Sequence, residues 1–171
     1  MFLHIQAGHF EQASRLLEPY LRAVSGDARA MNNQGLALLG LKRFDDARRI
    51  LKKAAKVSPD EPFVQTNYGR ALMGLGRAAE ARPHHEQALR ALPDDSRLLA
   101  HYGICLAALG EVDRARETLD AALAVRDADG YYWARSDRIA GGLEERLATV
   151  YRTWVAAVWP FQRVAWPGRD Q

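Results

Sequence analysis

His84-His85-Glu86 brings two imidazoles and a carboxylate together, the donor types that hold zinc or move protons near neutral pH. Their spacing argues against both uses. Neighbouring residues of a helix point in different directions, so the pair cannot ligate one ion from one face. His85 also stands in register with Leu17, Leu51 and Leu119, which predicts a half-buried packing residue. Cys105 is the one cysteine and could act as a nucleophile. It stands in register with Ala37 and Ala71, which predicts a small buried packer. Glu144-Glu145 are adjacent acids on a helix and read as solvated. No GxxxxGKS/T, GxSxG or HExxH is present, and Gly74-Leu75-Gly76 reads as a helix end and turn rather than a phosphate loop. The expectation is no catalytic residue, no metal, no cofactor, and a protein that is not an enzyme.

The register behind these readings comes from a repeat. NQGLALLGLK begins at Asn33, NYGRALMGLG at Asn67 and HYGICLAALG at His101, a spacing of 34 residues each time. Self-similarity at such a period means stacked supersecondary units. In the unit 28–61, Met31, Gln34, Leu38 and Leu41 mark one helical face, a turn follows at Lys42-Arg43, and Ala47, Ile50, Leu51, Ala54 and Ala55 mark a second helix. Ser58-Pro59-Asp60 stops it, because proline cannot donate to a helix and restricts its predecessor. The units 62–95 and 96–129 repeat the scheme, with turns at Gly76-Arg77 and Gly110-Glu111 and stops at Pro93-Asp94 and at Asp127-Ala128-Asp129-Gly130, the last without proline. Gly35, Gly69 and Gly103 lie inside first helices, where glycine costs about 1 kcal/mol against alanine. Three such glycines in register predict closely crossing helices, as do Ala47, Ala81 and Ala115 and then Ala54, Ala88 and Ala122.

The period, the glycine–alanine–alanine–proline skeleton and the aromatic at Phe44 resemble the tetratricopeptide repeat family over residues 28–129. The resemblance implies an all-α, right-handed superhelix of antiparallel helix pairs. It also implies a concave groove lined by first helices that binds peptides or protein segments. Residues 1–27 resemble the second half of a unit: Ala7-Gly8-His9-Phe10 matches the turn, Ala13 the first small residue, and Leu16 and Leu17 the core. Pro19 and Tyr20 depart from the pattern, so this half-unit is either a degenerate cap or the remnant of a larger protein. Residues 130–143 start like a fourth first helix until Gly141-Gly142. Leu143, Leu147, Val150, Tyr151, Trp154 and Val158 then form an apolar stripe, predicting a closing helix that ends at Trp159-Pro160. The expected organisation is one repeat domain over 1–159 and a tail over 160–171. The tail is read as a loose terminus, the alternative being an aromatic docking segment with Trp154 and Trp166 as secondary contacts.

The chain has 171 residues and a formal charge of +3, too mild a basic excess to suggest nucleic acid. Its longest uncharged apolar run, 153–162, contains Pro160 and is too short to span a bilayer. The N-terminus shows no signal-peptide pattern and a lone cysteine forms no internal disulfide, so a cytoplasmic protein is expected. The alanine and arginine content points to a bacterial source.

By repeat register the groove residues are Arg29, Asn32, Asn33 and Leu36 from the first unit; Phe63, Thr66, Asn67, Arg70 and Met73 from the second; Arg97, Ala100, His101 and Ile104 from the third; and Arg135 and Arg138 beyond it. The set holds arginines and amides and no carboxylate. It favours an acidic segment, with Arg70 and Arg97 as solvent-facing electrostatic contacts and the amides satisfying peptide backbone. Some family members clamp a C-terminal carboxylate with lysine, asparagine and arginine from three repeats. Asn67 and Arg97 match two of those places and His101 stands in for the arginine, but the first repeat offers Asn32 and Leu36, so that clamp is incomplete. The expected function is a scaffold or adaptor for a protein segment. The alternatives are a bacterial secretion-system chaperone and a repeat module of a larger enzyme or assembly. The expected partner is another protein, not nucleic acid or membrane. Oligomeric state stays open between monomer and dimer.

Overall fold

Asp27 and Asp95 start helices in the way their side chains dictate. Each carboxylate accepts backbone N–H groups of the first turn, Asp27 from Ala30 at 2.9 Å and Asp95 from Arg97 at 2.9 Å and Leu98 at 3.2 Å. Between them Pro62 opens a third helix at its first position, where its missing donor costs nothing. A computed structural model describes residues 9–128, with side chains to 125, and these residues form seven helices and no strand. They are α1 (Phe10–Ala23), α2 (Ala28–Gly40), α3 (Phe44–Val57), α4 (Pro62–Gly74), α5 (Ala78–Ala91), α6 (Ser96–Ala108) and α7 (Val112–Ala128). First helices α2, α4 and α6 begin at the predicted unit starts. Each helix packs on its successor, and α2–α4 and α4–α6 also touch, giving an all-α solenoid of helix pairs. Compact packing divides the chain after residue 129. The expected closing helix and tail, with Arg135, Arg138, Trp154 and Trp166, lie outside the described residues.

Every first helix ends in the same way. The N–H of Arg43, Arg77 and Glu111 reaches back to the carbonyl of Leu38, Leu72 and Leu106 at 2.9, 2.9 and 3.0 Å. The preceding N–H closes a smaller ring at each end, which makes a Schellman motif. That motif needs a left-handed residue, supplied by Gly76 (φ 73°) and Gly110 (φ 80°) but in the first unit by Lys42 (φ 58°). An ion pair follows across each turn: Arg43–Asp46 at 2.6 Å, Arg77–Glu80 at 2.6 Å, and Glu111–Arg114 with the charges exchanged.

The glycines do what their register predicts. A Cβ on Gly35 would collide with Leu51, one on Gly69 would come within 2.7 Å of His85, and one on Gly103 within 2.7 Å of Leu119. Each first helix thus presents a notch and its second helix fills it. A further set of notches joins successive units and was not foreseen: Phe10 of α1 fills the space over Gly40, and Phe44 of α3 that over Gly74. The alanines behave as expected, with Ala47, Ala54, Ala81, Ala88, Ala115 and Ala122 all buried. Pro19 and Pro83 sit inside α1 and α5, each removing one backbone donor from a helix that nevertheless continues.

The last full pair is tied to its neighbour by a closed ring of polar groups. Arg82 of α5 donates to Glu86 at 2.8 Å and to Glu111 at 2.6 Å. Tyr102 of α6 donates to Glu86 at 3.0 Å and accepts from Arg114 at 3.2 Å, and Arg114 returns to Glu111. The hydrogen bond and charge of Arg82 hold the Glu86 carboxyl below its ordinary range. Among the described residues no helix is long and apolar enough to cross a membrane.

Candidate protein-binding surface

The first helices lie beside one another, so side chains from α2, α4 and α6 share a surface. Two contacts show how they meet. Asn67 of α4 donates through Nδ2 to Asn32 of α2 at 2.9 Å, and Arg97 of α6 lies over the Phe63 ring of α4 at 4.8 Å. The second contact is a cation–π geometry.

The amides are not as free as the sequence suggested. Asn67 is buried, and its Oδ1 accepts from Arg70 Nη1 at 2.9 Å while its Nδ2 is held by Asn32. It fixes Arg70 in place, and with one of its two Nδ2 hydrogens taken by Asn32 and only 7% of the residue exposed it offers little to a peptide. Arg29 is exposed, and Asn32 and Asn33 are half-buried. Leu36 packs against Ala13 and Ala37, and Met73 against the cluster of Leu72, Ala81 and Cys105, so both contribute to helix packing.

The two central arginines differ sharply. Arg97 is 58% exposed but not free, because its guanidinium pairs with Asp95 at 2.9 Å. The capping carboxylate of its own helix therefore offsets its charge, which corrects the picture of a surface without acids. Arg70 is half-buried rather than solvent-facing, and no acid partners it among the described residues. Burial lowers its pKa to about 10. Close to it Thr66, one turn earlier on α4, is 3% exposed and its Oγ1 has no hydrogen-bond partner. His101 of α6 is half-buried, and burial, followed by the charge of Arg70, holds its pKa well below the usual imidazole range.

The residues that first suggested chemistry are engaged in structure. His84 shares a hydrogen bond of 2.8 Å between Nδ1 and the Gln65 side chain and lies against the Tyr68 ring, tilted at 56° with centroids 4.5 Å apart. His85 is fully buried, not half-buried, because it fills the Gly69 notch, and both ring nitrogens lack partners. Burial pushes its pKa down to about 4. Cys105 is buried, donates to the Ala78 carbonyl at 3.4 Å, and its thiol is pushed up to about 11 by burial. Among the described residues no three His, Cys, Asp or Glu side chains are grouped to hold a metal ion.

Paired helices, notch glycines and a 34-residue period define a helical-repeat solenoid. Models described as tetratricopeptide repeat match residues 3–62 and 72–135. The chain belongs to the tetratricopeptide repeat family, and its fold supports protein–protein interaction in general terms. Among solved structures it is similar to MamA (41–end) from Desulfovibrio magneticus RS-1, at 20% identity and TM-score 0.64, over 88% of this chain and 90% of that one. It is also similar to MamA of MSR-1, at 22% identity and TM-score 0.61, over 73% and 72%. YrrB matches at 18% identity and TM-score 0.60, over 91% and 81%. At these identities the likeness is one of fold. No curated protein matches the sequence significantly.

Proposed function

We propose that the chain is a scaffold that acts by binding, holding a segment of another protein along the surface of α2, α4 and α6. The observation that carries this reading is the row of partly exposed polar and aromatic groups on successive first helices: Arg29, Asn32 and Asn33, then Phe63 and Arg70, then Arg97 and His101. Such a row suits an extended or helical segment crossing several repeats, and its cations favour one with acidic character. YrrB, of the same fold, is described as having an unusual peptide-binding site. The engagement of His84, His85 and Cys105 in packing supports binding over catalysis. The test is capture from native lysate with wild type and with Arg29→Glu/Asn33→Arg, followed by mass spectrometry. A partner retained by wild type and lost by the folded variant is expected. A partner held equally by both would move the contact off this surface.

A further inference from the structure

Arg70 stands out among the charged groups of the described residues. The other groove cation beside it, Arg97, has a carboxylate within 3 Å, the turn arginines Arg43 and Arg77 pair with Asp46 and Glu80, and Arg48, Arg49 and Arg82 of the second helices pair with acids on their own helices. Arg70 has one fixed hydrogen bond, to a neutral amide oxygen, and that amide is itself anchored on the neighbouring helix. The chain Asn32–Asn67–Arg70 holds the guanidinium in place and leaves further N–H donors without partners among the described residues. Thr66 adds a buried hydroxyl without a partner one turn away, and His101 adds an imidazole from α6. A half-buried cation beside an unpartnered hydroxyl has already lost part of its hydration. An incoming anion therefore gains a charge-assisted, geometrically fixed contact without first ordering the receptor.

We propose that Arg70, positioned by Asn67 and assisted by Thr66 and His101, is the receptor for a single carboxylate of the bound segment. The subsite lies on the second repeat and does not use Arg97, whose charge Asp95 already offsets. It deepens the reading of the surface as a protein-binding site. It can fail separately, because it is probed with small acids and not with a polypeptide. Loss of the subsite would leave partner capture intact, and absence of a captured partner would leave the small-acid result standing.

The experiment is an NMR titration of the full ¹⁵N-labelled chain, following the Arg70 Nε–H, the Thr66 amide and the His101 ring. One arm uses N-acetylglutamic acid α-amide, whose only carboxylate is a side chain. A second uses N-acetylalanine, whose only carboxylate ends a main chain. Sodium chloride at matched ionic strength is the control. Saturable shifts with at least one acid are expected, and the tighter acid identifies the source of the carboxylate. Arg70→Gln should weaken binding at least tenfold, while Arg97→Gln should change it by less than about twofold. Thr66→Val, which keeps the shape and removes the hydroxyl, should weaken it severalfold and carries the test should Arg70→Gln not fold. Shifts that follow salt alone, survive Arg70→Gln, disappear in Arg97→Gln or are indifferent to Thr66→Val would overturn the proposal.

Discussion

Replacing His85 by leucine should stabilise the protein, and by an amount that depends on pH. A neutral imidazole carries one donor and one acceptor, and His85 buries both without partners. An unsatisfied buried polar atom costs about 1–3 kcal/mol, whereas an apolar group of similar shape carries no such cost. Leucine already fills the equivalent notches at Leu51 and Leu119. Allowing for imperfect refitting over Gly69, a gain of about 2 kcal/mol at pH 7 is expected. The pH term adds to it. With a folded pKa of about 4 against about 6.5 in the unfolded chain, the unfolded state binds more protons throughout the interval. Wild-type stability is therefore unaffected by this group above pH of about 6.5 and falls as the pH drops towards about 4. At pH 5 the loss is about 2 kcal/mol, so the advantage of leucine should grow to about 4 kcal/mol. His84 and His101, whose pKa values burial also lowers, remain in both proteins, so the difference reports residue 85 together with its charge coupling to these two. Urea melts followed by circular dichroism at pH 7 and pH 5 provide the measurement, with a midpoint shift on the order of 1 M at pH 7. A leucine variant less stable than wild type at pH 7, or an advantage equal at both pH values, would refute the account of His85 as an unpartnered neutral imidazole.

Two further predictions concern the repeat framework. Lys42→Gly should stabilise by about 0.5–1 kcal/mol, because relief of the left-handed strain outweighs the extra freedom of glycine in the unfolded chain; a lower denaturation midpoint would contradict it. Ala81→Leu or Ala115→Leu should destabilise by about 1–3 kcal/mol through overpacking at buried positions, seen as a lowered midpoint or as partial unfolding of the altered repeat.

The helix pairs were legible because their causes are local and recur. Proline and aspartate at unit ends, glycine in the turns and small residues at crossings each act within a few residues, and the copies share most of them, Lys42 in the first turn and the missing proline at the end of the third unit being the departures. The surface was legible only as a list. Asn67 has the residue type of a peptide-binding amide, and nothing in its neighbours shows that Asn32 will hold it from another helix. Arg97 is a different case: Asp95 stands two residues before it, and a capping carboxylate beside an arginine is a pairing of near neighbours in the chain. The ring of Arg82, Glu86, Tyr102, Glu111 and Arg114 was invisible, since it closes between helices whose relative rotation the sequence does not display. His85 was placed in the right register, and its full burial follows from the notch that the glycine opposite it creates.

The junctions between successive units are made of different materials, and this bears on how the solenoid flexes. Phe10 over Gly40 and Phe44 over Gly74 are aromatic discs seated in shallow saddles. Contacts of this kind have no preferred direction, so a disc can roll by a small angle at little energetic cost. By register the next junction has Ala78 and Ala108 in those places: the disc has shrunk and the saddle is filled. There the five-membered polar ring joins α5, α6 and α7, and hydrogen bonds resist rotation because their strength falls steeply with angle. The N-terminal joints, with neutral hydrogen bonds such as Gln34–Ser14 and Asn67–Asn32 beside the aromatic disc, should thus be the more compliant and respond little to salt, while the C-terminal joint is a splint whose rigidity depends on ionic strength. A ligand lying across the first helices would find its adjustable end at α2 and its fixed jaw at α6.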